Sequence, residues 1–193
     1  MRLNRAALIA ISAAALTFVP AHAAPSAITV VDDAGATVTL DRPATRIISL
    51  APHITEQLFA ISAGDRIVGT TEHADYPPAA TAIPRVGRAH SLDLERIAAL
   101  HADLIVIWGS GFPPATIASV AQLGVPVFIS EPRALADVAR SLERLGVLTG
   151  QNGAPAGAQF SAKVESLRRQ YAARPTVRAS RSWCSRTTSI RWA

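Results

Sequence analysis

The chain has 193 residues, of which 49% are hydrophobic and 17% charged, with a formal net charge of +5. A pI near 10.6 would ordinarily point to nucleic acid or an anionic membrane surface. The placement of the charge excludes that reading. Arg2 and Arg5 stand at the start, and Arg174, Arg178, Arg181, Arg186 and Arg191 stand near the end with no acid among them; without these arginines residues 24–173 carry −2. The single cysteine, Cys184, allows no intrachain disulfide, so stability must come from an apolar core.

Arg2 and Arg5, the apolar run Ala6 to Val19, Pro20 and the small-residue triplet Ala21-His22-Ala23 have the grammar of a secretory signal. Cleavage is expected after Ala23, leaving residues 1–23 as signal peptide and the remainder free in the periplasm. The run is too short to span a bilayer. No cysteine follows the cleavage site, so no lipid anchor is expected there.

Ile28–Val31, the turn residues Asp32-Asp-Ala-Gly35, and Ala36–Leu40 in alternation predict a β-hairpin. Four short apolar runs follow as buried-strand candidates: Ile47–Leu50, Ile67–Gly69, Leu104–Trp108 and Val125–Ile129. Between them lie segments of helical period. The first follows Pro52, with Ile54, Leu58 and Phe59 on one face; the second is Leu94 to Leu100. The third carries Ile117, Val120 and Ala121, and the fourth, with Leu135, Val138, Leu142 and Leu145, is expected to end at Gly146. A further helix is expected from Ala154 to Tyr171, with Phe160, Val164, Leu167 and Tyr171 as its apolar stripe. β-Branched runs alternating with amphipathic helices predict an α/β fold, a parallel sheet covered by helices on both faces.

No serine-elbow, phosphate-loop or dinucleotide fingerprint is present, so catalysis has no visible apparatus. Gly109-Ser110-Gly111 follows a strand but lacks the rest of a phosphate-binding motif. His53, His73, His90 and His101 share no metal-ligand spacing. His73 and His90 do lie in the same long loop, Thr71 to Ser91, which leaves a periplasmic metal-binding domain or metalloenzyme as the rival of another class. His101 reads as a cap at a helix C-terminus.

Five segments occur in order: Arg46–Glu56 (RIISLAPHITE), Gly64–Gly69 (GDRIVG), Asp75–Pro78 (DYPP), Leu92–Leu100 (LDLERIAAL) and Asp103–Trp108 (DLIVIW). In this order and spacing the chain resembles the N-terminal lobe of the class III periplasmic solute-binding proteins, which serve cobalamin, haem and ferric siderophores. DYPP, the Leu94-Glu-Arg-Ile97 segment and the Trp ending the third strand resemble the cobalamin binders most. The resemblance implies a non-catalytic, monomeric carrier that takes cobalamin into a cleft and delivers it to the permease dimer of an inner-membrane ABC importer. It implies no resident cofactor, no nucleic acid and no membrane insertion; haem or a ferric siderophore is the alternative ligand.

The resemblance also implies site residues. The family's strand-end aromatic falls on Trp108, where a flat indole can pack against a corrin face. An aromatic position before DYPP falls on His73, and a tryptophan position after the Val86-Gly87 turn falls near Ala89 and His90. This pocket therefore has less aromatic area than the family pattern. The family's permease-docking glutamate falls on Glu95, a residue that also suits the positive start of its helix after Ser91 or Asp93.

The expected organisation is an α/β lobe over residues 24–150, the start of an inter-lobe spine helix over 151–173, and a disordered tail over 174–193. The family continues from the spine into a second lobe. Here an Arg/Ser/Trp-rich tail stands in its place, which suggests truncation by a frameshift near Val177 or Arg178.

Overall fold

The computed structural model describes residues 27–88 and 91–172. The expected signal peptide, the tail, and the candidate residues Ala89 and His90 lie outside them.

Strands β1 (Ile28–Val31) and β2 (Thr37–Leu40) form the antiparallel hairpin, in register from Ile28 opposite Leu40 to Val31 opposite Thr37. Its turn is built by Asp32, whose Oδ1 accepts from the amides of Ala34 and Ala36 at 2.9 and 2.8 Å, and by Gly35 at φ 83°. The turn then docks on the main sheet. Asp33 N donates to Ile129 O at 3.0 Å, and Asp33 Oδ2 accepts from Glu131 N at 2.7 Å. An otherwise open sheet edge is thereby covered.

The main sheet has four parallel strands in the order β4–β3–β7–β8. They are β3 (Ile47–Leu50), β4 (Ile67–Thr70), β7 (Leu104–Trp108) and β8 (Val127–Ser130). Between β4 and β7, the two-residue strands β5 (Gly87–Arg88) and β6 (Ser91–Leu92) make a small antiparallel pair. Alternation along the central strands splits the core between the two faces. Ile47, Leu104 and Val106 pack with Ile54 and Leu58 of α1 (Pro52–Ala60) and Leu142, Leu145 and Leu148 of α4 (Leu135–Thr149). Ile48, Leu50, Ile105 and Ile107 pack with Ile97 of α2 (Leu94–Ala99) and Val120 of α3 (Pro114–Ala121). A strand covered on both faces has no polar side to show, which is why these segments read as continuous apolar runs.

Helix starts follow local chemistry. Pro52 and Pro114 occupy first-turn positions where a missing N–H costs nothing. Asp93 caps α2 by accepting from Arg96 N at 2.9 Å. At the other end of α2, His101 sits at φ 46°, and its carbonyl and that of Leu100 accept from the Arg46 guanidinium at 3.2 and 2.7 Å. The cation capping this helix is therefore Arg46, and His101 contributes through its backbone.

Beyond one-residue shifts at several strand and helix ends, three features differ from the sequence reading. Helix α4 passes through Gly146 to Thr149 and turns at Gly150, whose φ of 65° is the left-handed cap. Gly146 is instead a point of close approach, where a Cβ would lie 2.5 Å from Gly153 N. The fourth buried strand begins at Val127, because Pro126 has no amide to donate; its carbonyl accepts from Ile105 N at 2.9 Å. The long loop after β4 is structured, with a 3-10 turn at Pro78–Ala82 and the β5–β6 pair. Arg85 clamps it by donating to the carbonyls of Thr71 and Ala74 at 3.2 and 3.1 Å.

Helix α5 (Ala154–Ala172) folds back on α4. Phe160 packs against the core, but Leu167 and Tyr171 are 40% and 50% exposed. Val164 lies level with Leu135, where α4 begins, so the later part of the stripe has run past its partner helix.

Candidate functional site

The chain leaving β3 crosses through α1 to β4 on one side, whereas the chain leaving β7 crosses through α3 to β8 on the other. Adjacent strands β3 and β7 therefore form a topological switch point, and the diverging connections open a crevice beyond their C-terminal ends. Two aromatic rings stand there. His53 is the second residue of α1 and Trp108 the last of β7; their ring centroids are 5.4 Å apart at 87°, edge to face.

Trp108 is 39% exposed although the four residues before it in β7 are buried. The backbone at Gly111 lies against the indole, since a Cβ there would meet Trp108 Cε3 at 2.3 Å. The ring forms part of the wall of an open cavity of about 450 Å3. His53, Glu56 and Gln57 of α1 line one side, Val138, Leu142 and Phe160 of α4 and α5 another, and Tyr76 and Pro132 the loops. The surface is mostly apolar with a few polar groups, the usual makeup of a small-molecule site.

Two of those polar groups are unsatisfied. His53 Nε2 and Gln57 Oε1 are buried without a hydrogen-bond partner, and Gln57 is only 6% exposed. Burial holds the His53 pKa below its ordinary value, and the Glu131 carboxylate opposes this to a smaller extent. The lowered pKa favours the neutral imidazole near pH 7, a ring with one donor and one acceptor nitrogen.

The Gly109–Gly111 turn is not an anion site. Ser110 N, an amide that a phosphate would use, already donates to Glu131 Oε2 at 2.7 Å. Below the crevice, a buried hydroxyl chain joins the two ends of the α1 crossover: Ser49 Oγ lies 2.8 Å from Thr55 Oγ1, which lies 2.9 Å from Thr70 Oγ1.

The residues picked out from the sequence do not all gather here. Trp108 lines the cavity. His73 is exposed at φ 67° in the loop clamped by Arg85 and does not line it. Glu95 is exposed on α2, against the opposite face of the sheet. Among the described residues, no group of three or more His, Cys, Asp or Glu side chains is placed to hold a metal ion. His53 and Gln57 were not singled out. Their signal is a His and a Gln one helical turn apart, immediately after a buried strand.

The family model described as periplasmic binding protein matches residues 47–174. The chain belongs to the periplasmic binding protein family. Among curated relatives, it is 38% identical to a vitamin B12-binding protein of Vibrio cholerae over 138 residues, 70% of this chain and 50% of that one. A vitamin B12-binding protein of Yersinia pestis is 35% identical over 131 residues, covering 67% and 47%. The chain spans about half the length of the curated relatives it matches.

Solved structures of periplasmic binding proteins give the same picture. The vitamin B12-binding protein of Vibrio cholerae superposes with a TM-score of 0.64 at 38% identity, over 68% of this chain and 52% of that one. A periplasmic haem-binding protein in complex with two haems gives 0.59 at 28% identity, over 67% and 51%. No helix among the described residues is long and apolar enough to cross a membrane.

Proposed function

We propose that this chain acts as one lobe of a periplasmic carrier that captures a corrinoid and presents it to an inner-membrane ABC importer. The observation that carries the reading is Trp108, a half-exposed indole at the switch point of a lobe 38% identical to a vitamin B12-binding protein. A flat ring on the wall of an apolar cavity suits the face of a macrocycle. In this reading His73, with Ala89 and His90, meets the ligand's periphery, and Glu95 docks on cationic side chains of the permease. Binding and release make up the whole activity; no bond is made or broken.

The open cavity of about 450 Å3 among the described residues would leave much of a macrocycle in solvent, so affinity is expected to be weak, because ligand pockets normally bury most of the ligand surface. The test is equilibrium dialysis of the purified chain against cyanocobalamin and, separately, haem. Saturable cobalamin binding, weakened about tenfold in Trp108→Ala, is the expected outcome. Haem binding without cobalamin binding would refute the corrinoid assignment. Sub-micromolar cobalamin affinity would instead refute the expectation of weak binding in an open cavity.

A further inference from the structure

The corrinoid reading leaves open how the cavity tells one macrocycle from another, and the unsatisfied groups on α1 address that. Gln57 and His53 lie one turn apart on the face of α1 that lines the cavity. A side chain 94% buried, with a carbonyl oxygen that has no partner, is costly to keep unless something completes it. No side chain among the described residues does so.

We propose that Gln57 and His53 form a carboxamide-recognition subsite, which makes this cavity select a macrocycle edged with neutral amides over one edged with carboxylates. This rests on the corrinoid reading and sharpens it.

The chemistry is one of matching donors and acceptors. The Gln57 amide offers both, and its terminal torsion is soft and roughly two-fold, so either the oxygen or the nitrogen can turn to a ligand. A ligand carboxamide also carries both, and it pairs with Gln57 in either orientation. A carboxylate only accepts, so it leaves the Gln57 carbonyl unpaired. Charge acts in the same sense. Among the described residues, the cavity lining includes Glu56 and neither lysine nor arginine, and Glu131 lies close enough to act on His53. An anionic rim would be repelled by Glu56 and find no cation in the lining, while Glu131, outside the lining, is partly offset by Arg133, whose Nε lies 3.8 Å from its Oε1. Cobalamin and cobinamide present amides at the corrin edge; cobyrinic acid presents carboxylates on the same corrin, and haem carries two.

The test uses the whole chain and three probes, dicyanocobinamide, dicyanocobyrinic acid and haem, measured by equilibrium dialysis at pH 7.5 on the parent, Gln57→Leu and Trp108→Ala. The parent is expected to favour the amide corrin about tenfold, the scale of one well-placed neutral hydrogen-bonding group. Gln57→Leu should reduce that preference to within about threefold, chiefly by weakening the amide ligand. Trp108→Ala should weaken both corrins alike. A thermal melt supplies an independent readout: with its carbonyl unpaired, Gln57 contributes little to folding, so Gln57→Leu should melt no lower than the parent. Equal affinity of the parent for both corrins, a preference that survives Gln57→Leu, or a lowered melt in Gln57→Leu overturns the subsite and leaves the corrinoid reading standing. Binding of haem alone overturns both.

Discussion

Replacing Gly153 by alanine tests how the α4–α5 hairpin shapes the cavity. A Cβ at Gly153 would lie 2.0 Å from the carbonyl oxygen of Leu142 and 2.7 Å from its carbon. Real Cβ atoms essentially never approach closer than 3.0 Å, and the obstacle here is backbone that no rotamer change can move. The two helices must therefore separate by about 1 Å, a shift of the kind that costs about 1–3 kcal/mol in a packed interior. The upper part of that range is expected, because Gly146 makes a second close approach in the same hairpin. For a domain of this size each kcal/mol lowers the melting temperature by about 2–4 °C, so Gly153→Ala should melt about 5–10 °C below the parent by circular dichroism. Gly124→Ala is the control: at φ 74° with nothing within 4 Å of a Cβ, it carries only left-handed backbone strain. A Gly153→Ala melt within about 1 °C of the parent, or above that of Gly124→Ala, would refute the close-approach argument. Because Phe160 rides on α5, the variant should also weaken any ligand held in the cavity.

Thr55→Val removes the middle of the Ser49–Thr55–Thr70 chain and leaves two buried hydroxyls without that partner, for a loss of about 1–3 kcal/mol in urea denaturation; an unchanged midpoint would contradict it. His53 predicts a pH dependence. Its folded pKa lies below its ordinary value of 6.5, so as pH falls below that value the unfolded chain takes up the proton first. This contribution to stability is complete above 6.5, declines as pH drops through 6.5 toward the folded value, and should be absent in His53→Gln. Parallel stability–pH curves for parent and variant would show that burial does not govern this histidine.

Much of the fold was legible locally. Ile47–Leu50 and Leu104–Ile107 read as buried strands because each lies between helices on both faces, and such strands need apolar residues at every position. Pro52, Asp93 and the Asp32–Gly35 turn act on their own neighbours, so their effects could be read within a few residues. The α4 boundary was misread because glycine serves two ends. Gly150 turns the helix, whereas Gly146 admits another chain segment, and only the position of Gly153 tells them apart. The α5 stripe of Phe160, Val164, Leu167 and Tyr171 is real as a period, but burial depends on how far α4 extends beside it.

The α/β class, the strand-end tryptophan and the mild acidity of residues 24–173 follow from local periodicity and from counting charges. Which groups stand around Trp108 was decided only by tertiary structure. His53 and Trp108 are 55 positions apart and meet because β7 enters the sheet beside β3 while β4 takes the other side. Strand order is set by packing among distant segments, and no spacing along the chain records it. The unpaired Gln57 carbonyl and the lowered pKa of His53 are consequences of that enclosure.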